Sequence, residues 1–499
     1  DLVRSRGLGD VYKRQVFGTL AKADINVVLI SQASSEHSIC IAIKSENSDL
    51  AREVLENEFH YEILAGEMDK VQIMPNMSVI AVVGENMKHH PGASGRLFQA
   101  LGRNNINVSA VAQGSSELNI SAVIKQSDLQ KGLNALHEAF FLSDNKVLHV
   151  FLIGVGLIGK TLISMIQNQL NKLQEDYMLD IKIHGLANSR FMAFDEDGFD
   201  LSSIPVPSSE DLPMDLTVFL NTMNSMNFSN SVLVDCTASQ DVADTYERVL
   251  TSKVAIVTPN KKANSSSLEN YKSLKKLSGQ RNIKFLYETN VAAGLPVIST
   301  LQDLILSGDK VLKIEGVLSG SMNYIFSELS KGTPFSEVVT QAKEKGFTEP
   351  DPRDDLSGMD VARKILILGR EAEQDLHFSD VSIQSMVPED CQDIESVEEF
   401  LEKLKSHDPH FKSLVEEAKE KEETLRFMAV LENGKAEVGL KSVDKKHPFY
   451  SLEGSDNMIL FTTERYHEFP MIIRGPGAGA DVTAAGVFAD IIRLGNYSR

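Results

Sequence analysis

The segment INVVLISQASSEHSICIAI, Ile25 to Ile43, returns as INVSAVAQGSSELNISAVI, Ile106 to Ile124. A chain that carries the same text twice is expected to build the same module twice. Each copy follows a short amphipathic helix, VFGTLAKAD or LFQALGRNN, and reads as strand, polar turn, strand. That order is half of a βαββαβ unit. Gln32 matches Gln113, and Ser34, Ser35 and Glu36 match Ser115, Ser116 and Glu117. A duplicated structural domain is one account. Strand pairing alone does not need an identical polar turn, however, whereas a pocket for a small amino acid does. The second copy has its leading strand in MSVIAVVGE, Met77 to Glu85, while the first begins inside its helix. The opening DLVRSRGLGDVYKRQ is basic and Gly-rich where a strand is expected, and it is set apart as a non-native segment.

A chain of 499 residues exceeds one core, so several domains are expected. The net charge of -20, with no basic run, argues against nucleic acid or an anionic membrane as partner. Cys40, Cys236 and Cys391 are isolated in sequence, which suggests neither a disulfide framework nor a metal cluster and fits a reducing, cytoplasmic compartment. No apolar run reaches the ~18 residues of a membrane span, and no signal or transit peptide is visible.

After the repeats, KVLHVFLIG from Lys146 is a buried strand of the parallel type, and Gly154, Gly156 and Gly159 lead into a helix. Strand, GxGxxG and helix together leave amide groups, that of Ile158 among them, and a positive helix end for a pyrophosphate. The next strand, DIKIHGLAN, ends in Asn188, Ser189 and Arg190. An acid there would hold a ribose 2'-hydroxyl, whereas a cation accepts a 2'-phosphate, so NADP is favoured over NAD. SVLVDCTAS then places Thr237 and Ser239 at a strand mouth, and KVAIVTPNKK ends in Asn260, Lys261 and Lys262.

The stretch GFTEPDPRDDLSGMDVARK, Gly346 to Lys364, crowds acids before a helix that puts Asp360 and Lys364 on one face beside Val361, Ile365 and Leu368. An isolated Asp and Lys so spaced is usually a surface ion pair. Next to an apolar stripe, and after Glu349, Asp351, Asp354 and Asp355, the pair can bind an ammonium group and deliver a proton.

This signature closely resembles that of homoserine dehydrogenases, and the resemblance runs from about Lys146 to the C-terminus. The repeats resemble tandem ACT domains, so the order is that of the C-terminal part of bifunctional aspartokinase/homoserine dehydrogenases. No Lys-Phe-Gly-Gly nucleotide loop occurs, and aspartokinase activity is not expected from this chain. The implied fold is α/β: tandem ferredoxin-like ACT domains, a Rossmann domain and an α+β substrate domain. Residues 1–15 are set apart, 16–74 form a truncated first ACT domain, 75–145 the second, 146–285 the cofactor domain and 286–475 the substrate domain. Residues 476–499 form a helix returning to the cofactor domain.

The resemblance further implies reversible, NAD(P)H-dependent reduction of aspartate semialdehyde to homoserine. Lys364 is the implied proton donor, with Lys261 assisting and Asp355 in electrostatic support. Glu349 and Asp360 hold the substrate ammonium near Gly346, with Ser319 and Ser321 as further candidates. Gly477 and Gly479 lie by the nicotinamide. Glu288, with the carbonyls of Val291, Ala293 and Leu295, is the implied Na+ or K+ site. Gln32 and Gln113 are the implied contacts for threonine as effector, and a homodimer or homotetramer is expected, in the cytoplasm or, for a plant protein, the plastid. The charged stretch Asp375 to Lys421 reads as a solvated insertion without a site. The competing readings are an amino-acid sensor with an inactive dehydrogenase module and another semialdehyde dehydrogenase on the same scaffold.

Overall fold

The computed structural model describes residues 2–32, 38–87, 92–104, 106–114, 118–141, 146–203 and 205–496. The repeated Ser-Ser-Glu turns, Ser34 to Glu36 and Ser115 to Glu117, lie outside them. The chain divides into two compact units, Asp1–Asp144 with Asn227–Ser229, and Asn145–Met226 with Asn230–Arg499. No helix among the described residues is long and apolar enough to cross a membrane.

In the first unit each repeat buries one face of its strands under helices. A helix over Leu2–Lys22 leads into β1 (Val27–Gln32), which pairs antiparallel with β2 (Ile39–Ile43), and a helix over Ser48–Glu58 follows. The segment set apart at residues 1–15 is therefore helical from Leu2, and the Tyr12 ring stands edge-on to Phe59 at 6.0 Å. Of its residues, Tyr12 packs against a small core of Leu20, Ile25, Ala51, Leu55 and Phe59.

The second repeat has β3 (Met77–Val83), a helix over Ala93–Arg103, β4 (Ala110–Gln113), β5 (Asn119–Lys125) and a helix over Leu129–Phe141. Its sheet order is β3-β5-β4, closed by Ile80, Leu97, Leu101, Ile120 and Leu136. Among the described residues neither repeat has the closing strand of a full βαββαβ unit. In the second, β6 of the next unit begins at Lys146, five residues after Phe141.

In the second unit the strands are β6 (Lys146–Ile153), β7 (Leu179–Ala187), β8 (Phe191–Phe194), β9 (Leu212–Pro213), β10 (Ser231–Asp235), β11 (Ala255–Val257) and β12 (Phe285–Leu286). Their order is β12-β11-β10-β6-β7-β8-β9. The pairs from β12 to β7 are parallel, as continuous Val, Ile and Leu runs buried on both faces require, while β8 and β9 turn back antiparallel at one edge. The connection reverses direction between β6 and β10, which opens the crevice where such sheets bind dinucleotides. The last helix, Ala480–Asn496, lies along the Leu157–Tyr177 helix and contributes Ala484, Val487, Ile491 and Leu494 to the core of the cofactor domain.

A six-stranded sheet follows, built from β13 (Val311–Val317), β14 (Val381–Ile383), β15 (Thr424–Glu432), β16 (Lys435–Val443), β17 (Asp456–Thr463) and β18 (Met471–Pro476) in the order β14-β16-β15-β13-β17-β18. Helices Gly320–Lys331 and Met359–Glu371 lie against β15. The stretch 375–421 is not only the solvated face expected from its charge. Its helices Val397–Leu404 and Asp408–Glu420 bury Phe400, Leu404, Phe411, Val415 and Ala418, and Phe411 stacks on Phe335. Apolar residues at i, i+4 and i+7 form a stripe that a 3.6-residue period conceals within a charged composition.

Candidate active site

The glycine loop joins β6 to the Leu157–Tyr177 helix. A Cβ on Gly154, whose φ is +101°, would stand 2.8 Å from the Cys236 carbonyl and 2.9 Å from Thr237 Cγ2, so only glycine lets β6 approach β10 here. A Cβ on Gly156 would meet nothing within 4 Å, which leaves an open cradle at the N-terminus of the Leu157–Tyr177 helix. Gly156, Ile158 and Gly159 thus present first-turn amides, which have no intrahelical partners, to that space. Thr237 donates its amide to Asp235 Oδ1 and accepts from the Ser239 amide, which fixes the opposite lip.

Asn188 is used differently from the expectation that it touches the cofactor. Its Oδ1 accepts from the Arg190 and Phe191 amides at 2.8 and 2.9 Å, and its Nδ2 donates to the Pro207 carbonyl at 2.7 Å. Its side chain builds the turn that presents the exposed Arg190.

The helix Met359–Glu371 brings together the residues singled out in the acidic signature. Asp360 Oδ2 lies 2.8 Å from Lys364 Nζ and Oδ1 lies 3.3 Å from Lys261 Nζ, so one carboxylate joins the two lysines. The Asp360 side chain is 52% exposed and that of Lys364 9%. Burial opposes the Asp360 charge, but Lys364 and Lys261 hold its carboxyl well below the usual carboxylate range. Burial also pushes the Lys364 ammonium below its ordinary value, with Asp360 working against it. Lys364 donates a further bond of 2.6 Å to the Leu318 carbonyl at the end of β13, a partner that no side-chain pattern could reveal.

Asp355 stands behind this pair. Its Oδ1 accepts from Ser321 Oγ at 2.6 Å and its Oδ2 from the Glu349 amide at 2.8 Å, while Ser319 and Ser321 share a bond of 2.8 Å. Burial raises its pKa, against those two donors. Asp355 thereby pins the exposed Glu349, whose carboxylate has no partner among the described residues. Gly346, at φ +69°, supplies the left-handed turn that sends the chain from the preceding helix toward Glu349. Asp351, by contrast, caps its own helix and holds Arg353.

Glu288 departs from the expectation of a carboxylate cation ligand. Its side chain accepts from the Ile298 and Ser299 amides at 2.6 and 3.1 Å, at the start of the Ile298–Leu306 helix, and pairs with Arg493 at 3.0 Å. Two amides and a guanidinium already occupy the carboxylate. The loop that follows has an unusual conformation: Ala292 and Ala293, both buried, have φ of +59° and +52°. The Leu295 carbonyl accepts from the Val297 amide. Gly477 lies at the end of β18, where a Cβ would fall 2.0 Å from Asn457, and Gly479 precedes the last helix.

Cys391, isolated in sequence, lies in the fold beside Asp390 and His407, with ligand-capable atoms within 4.8 Å of one another. Asp390 already meets Lys403 Nζ at 3.0 Å and His407 Nε2 at 2.8 Å, an ion-pair arrangement that accounts for the grouping without a metal.

Comparison with known proteins identifies the domains. Residues 296–492 match the homoserine dehydrogenase family, 154–288 its NAD binding domain, and 12–59 with 80–140 the ACT domain family. A homoserine dehydrogenase of Schizosaccharomyces pombe is 46% identical over 274 residues, 53% of this chain and 72% of its own length. The chain belongs to the homoserine dehydrogenase family. As a homoserine dehydrogenase relative it carries a nicotinamide cofactor domain, and its tandem ACT domains precede that domain. A bifunctional aspartokinase/homoserine dehydrogenase of Arabidopsis thaliana, named as chloroplastic, is 44% identical over 97% of this chain and 53% of its own length. The chain thus spans about half the length of such bifunctional relatives. A Candida auris protein of unknown function shares its fold at TM-score 0.65 and 38% identity, over 70% of this chain and 99% of the other. A hyperthermophilic archaeal homoserine dehydrogenase in complex with NADPH matches at TM-score 0.53 and 20% identity, over 70% of this chain and 98% of the other, which supports the fold.

Proposed function

We propose that this chain catalyses the reversible NADP-dependent reduction of L-aspartate 4-semialdehyde to L-homoserine. The observation that carries the reading is the Asp360 carboxylate joining the Lys364 and Lys261 ammonium groups at the end of a helix shared with a buried face. Reduction of an aldehyde puts negative charge on its oxygen, and a nicotinamide cofactor, when bound, would supply the hydride. Lys364 stabilises that oxygen and donates the proton, because burial has lowered its pKa and eased the transfer. Lys261 assists from the other side of Asp360. Asp360 already faces two cations, which makes it the group that orients the lysines; Glu349, exposed and without a partner, is the better ligand for the substrate ammonium. Gly477 and Gly479 border the nicotinamide in this reading.

Arg190, exposed on the turn that Asn188 builds, supports NADP over NAD. The carbonyls of Glu288, Val291, Ala293 and Leu295 would hold a Na+ or K+ ion, an all-oxygen set that suits a hard cation. Threonine binds the repeats at Gln32 and Gln113, each the last residue of its strand. We further assign a homo-oligomer in a reducing compartment, the cytoplasm or a plastid, in keeping with three free cysteines.

The test is NADPH oxidation with aspartate semialdehyde, run beside NADH and repeated with threonine. No oxidation with either cofactor would remove the reading; activity without threonine inhibition would remove only its regulatory part.

A further inference from the structure

We infer that Arg370 is a positioning residue that fixes the turn carrying Lys261 relative to Asp360, an inference that rests on the dehydrogenase reading above. Arg370 lies ten residues beyond Asp360 on the Met359–Glu371 helix, about 15 Å along its axis. It is 4% exposed, and all its directed bonds go to backbone carbonyls. Nη1 donates to Asn264 O and Nη2 to Ser266 O, both at 2.8 Å, and Nε donates to Leu376 O at 3.1 Å. Its guanidinium lies 5.4 Å from the Tyr271 ring centre.

Asn264 and Ser266 end the turn that begins at Lys261. Inside that turn the Ser265 amide and hydroxyl both donate to the Lys261 carbonyl at 2.9 Å. Asn264 Nδ2 donates to Asn290 Oδ1 at 2.8 Å, and Asn290 donates to the Thr258 carbonyl at the mouth of β11. One helix therefore grips one turn twice. Asp360 near its first end takes the Lys261 ammonium, and Arg370 near its last end takes the Asn264 and Ser266 carbonyls at the far end of the turn.

The planar fork of arginine reaches three carbonyls in fixed directions, which a lysine point charge cannot reproduce. The elements joined in this way come from different domains, since Lys261 follows a strand of the cofactor sheet and Asp360 and Lys364 belong to the substrate domain. The spacing between the two lysines, which Asp360 bridges, is thus also held by a residue that touches neither.

The experiment is a double-mutant cycle on the full chain with Arg370→Lys, Lys261→Ala and both together, reading kcat and the KM of each substrate. Arg370→Lys is expected to lower kcat by about tenfold or more with the NADPH KM unchanged. The double variant is expected to be no worse than Lys261→Ala alone. Multiplicative losses would overturn the inference, because the two residues would then act independently. Acylation of Lys261, mapped by mass spectrometry with Lys262 as internal reference, gives a readout that needs no turnover and is expected to quicken in Arg370→Lys; an unchanged ratio would also overturn the inference. An inactive wild type would defeat the dehydrogenase reading and leave this readout standing. Should Arg370→Lys not fold, Arg370→Gln takes its place, and loss of fold in both would assign Arg370 to stability alone.

Discussion

The two ends of the Met359–Glu371 helix hold two carboxylates in opposite ways. Asp360, half exposed, faces two ammonium groups at the candidate active site. Glu371, 2% exposed, is enclosed by the Tyr287 hydroxyl at 2.5 Å, the Tyr271 hydroxyl at 2.7 Å, Gln302 Nε2 at 2.6 Å and Lys275 Nζ at 3.0 Å. Both carboxyls titrate below their ordinary values although burial opposes each. One acid orients two lysines at an open face and the other is sealed by donors from neighbouring elements. The difference teaches that ionisation alone does not mark a site; access does. A carboxylate enclosed by donors on every side holds the structure together, while one that orients lysines at an open face is placed to take part in chemistry.

The largest expected effect breaks the open end. Lys364→Ala should lower kcat by on the order of 10²-fold or more while leaving cofactor affinity nearly intact. Steady-state kinetics with a cofactor titration decide it, and near wild-type turnover would remove Lys364 from the mechanism. The pH profile sharpens the same contrast. Reduction needs the protonated Lys364, whose pKa lies below the ordinary lysine value of 10.5, so reduction should fall and homoserine oxidation rise as pH climbs through it. A reduction rate that increases along that limb would contradict the assignment.

Breaking the sealed end should cost stability rather than chemistry. Glu371→Ala leaves the Tyr271, Tyr287 and Gln302 donors without their acceptor and is expected to lose about 3 kcal/mol in denaturant unfolding. Because the folded pKa of Glu371 is depressed, its contribution is present above its unfolded value near 4.5 and disappears as pH falls through the folded one. A stability difference between variant and wild type that persists unchanged well below that range would show that the carboxylate charge is not responsible.

Smaller effects are expected where the side chains are exposed. Arg190→Ala should weaken NADP by about tenfold and NAD hardly at all, since only NADP carries the 2'-phosphate. Equal changes would mean that Arg190 faces away from the ribose. Gln113→Ala should raise the inhibitory threonine concentration several-fold, the size of one lost hydrogen bond of roughly 1 kcal/mol, with uninhibited activity unchanged. Gln113 here accepts from Ser94 Oγ at 3.1 Å. Threonine curves identical among wild type, Gln113→Ala and Gln32→Ala would make the repeated turn structural.

Much of the architecture was legible because it rests on local periodicity. The glycine loop after a β strand, the i,i+4 pair of Asp360 and Lys364 and the duplicated strands each declare themselves within a few residues. The insertion at 375–421 misled because its charges outnumber a narrow apolar stripe, which became a core only when Phe335 supplied the opposite face. Glu288 misled for a related reason: whether a carboxylate is available to a cation depends on Ile298, Ser299 and Arg493, the last of them 205 positions away.

The sequence by itself determined which residues of this protein can carry charge, turn sharply or repeat, since these follow from side-chain chemistry and local spacing. Only the tertiary structure decided which of those charges stay open and which are sealed. Asp360 meets Lys261 from another domain, Lys364 meets the Leu318 carbonyl, and Arg370 meets the turn of Asn264 and Ser266. Such partners are distant in the chain and many are backbone atoms, which every residue possesses, so no pattern of residue types can announce them.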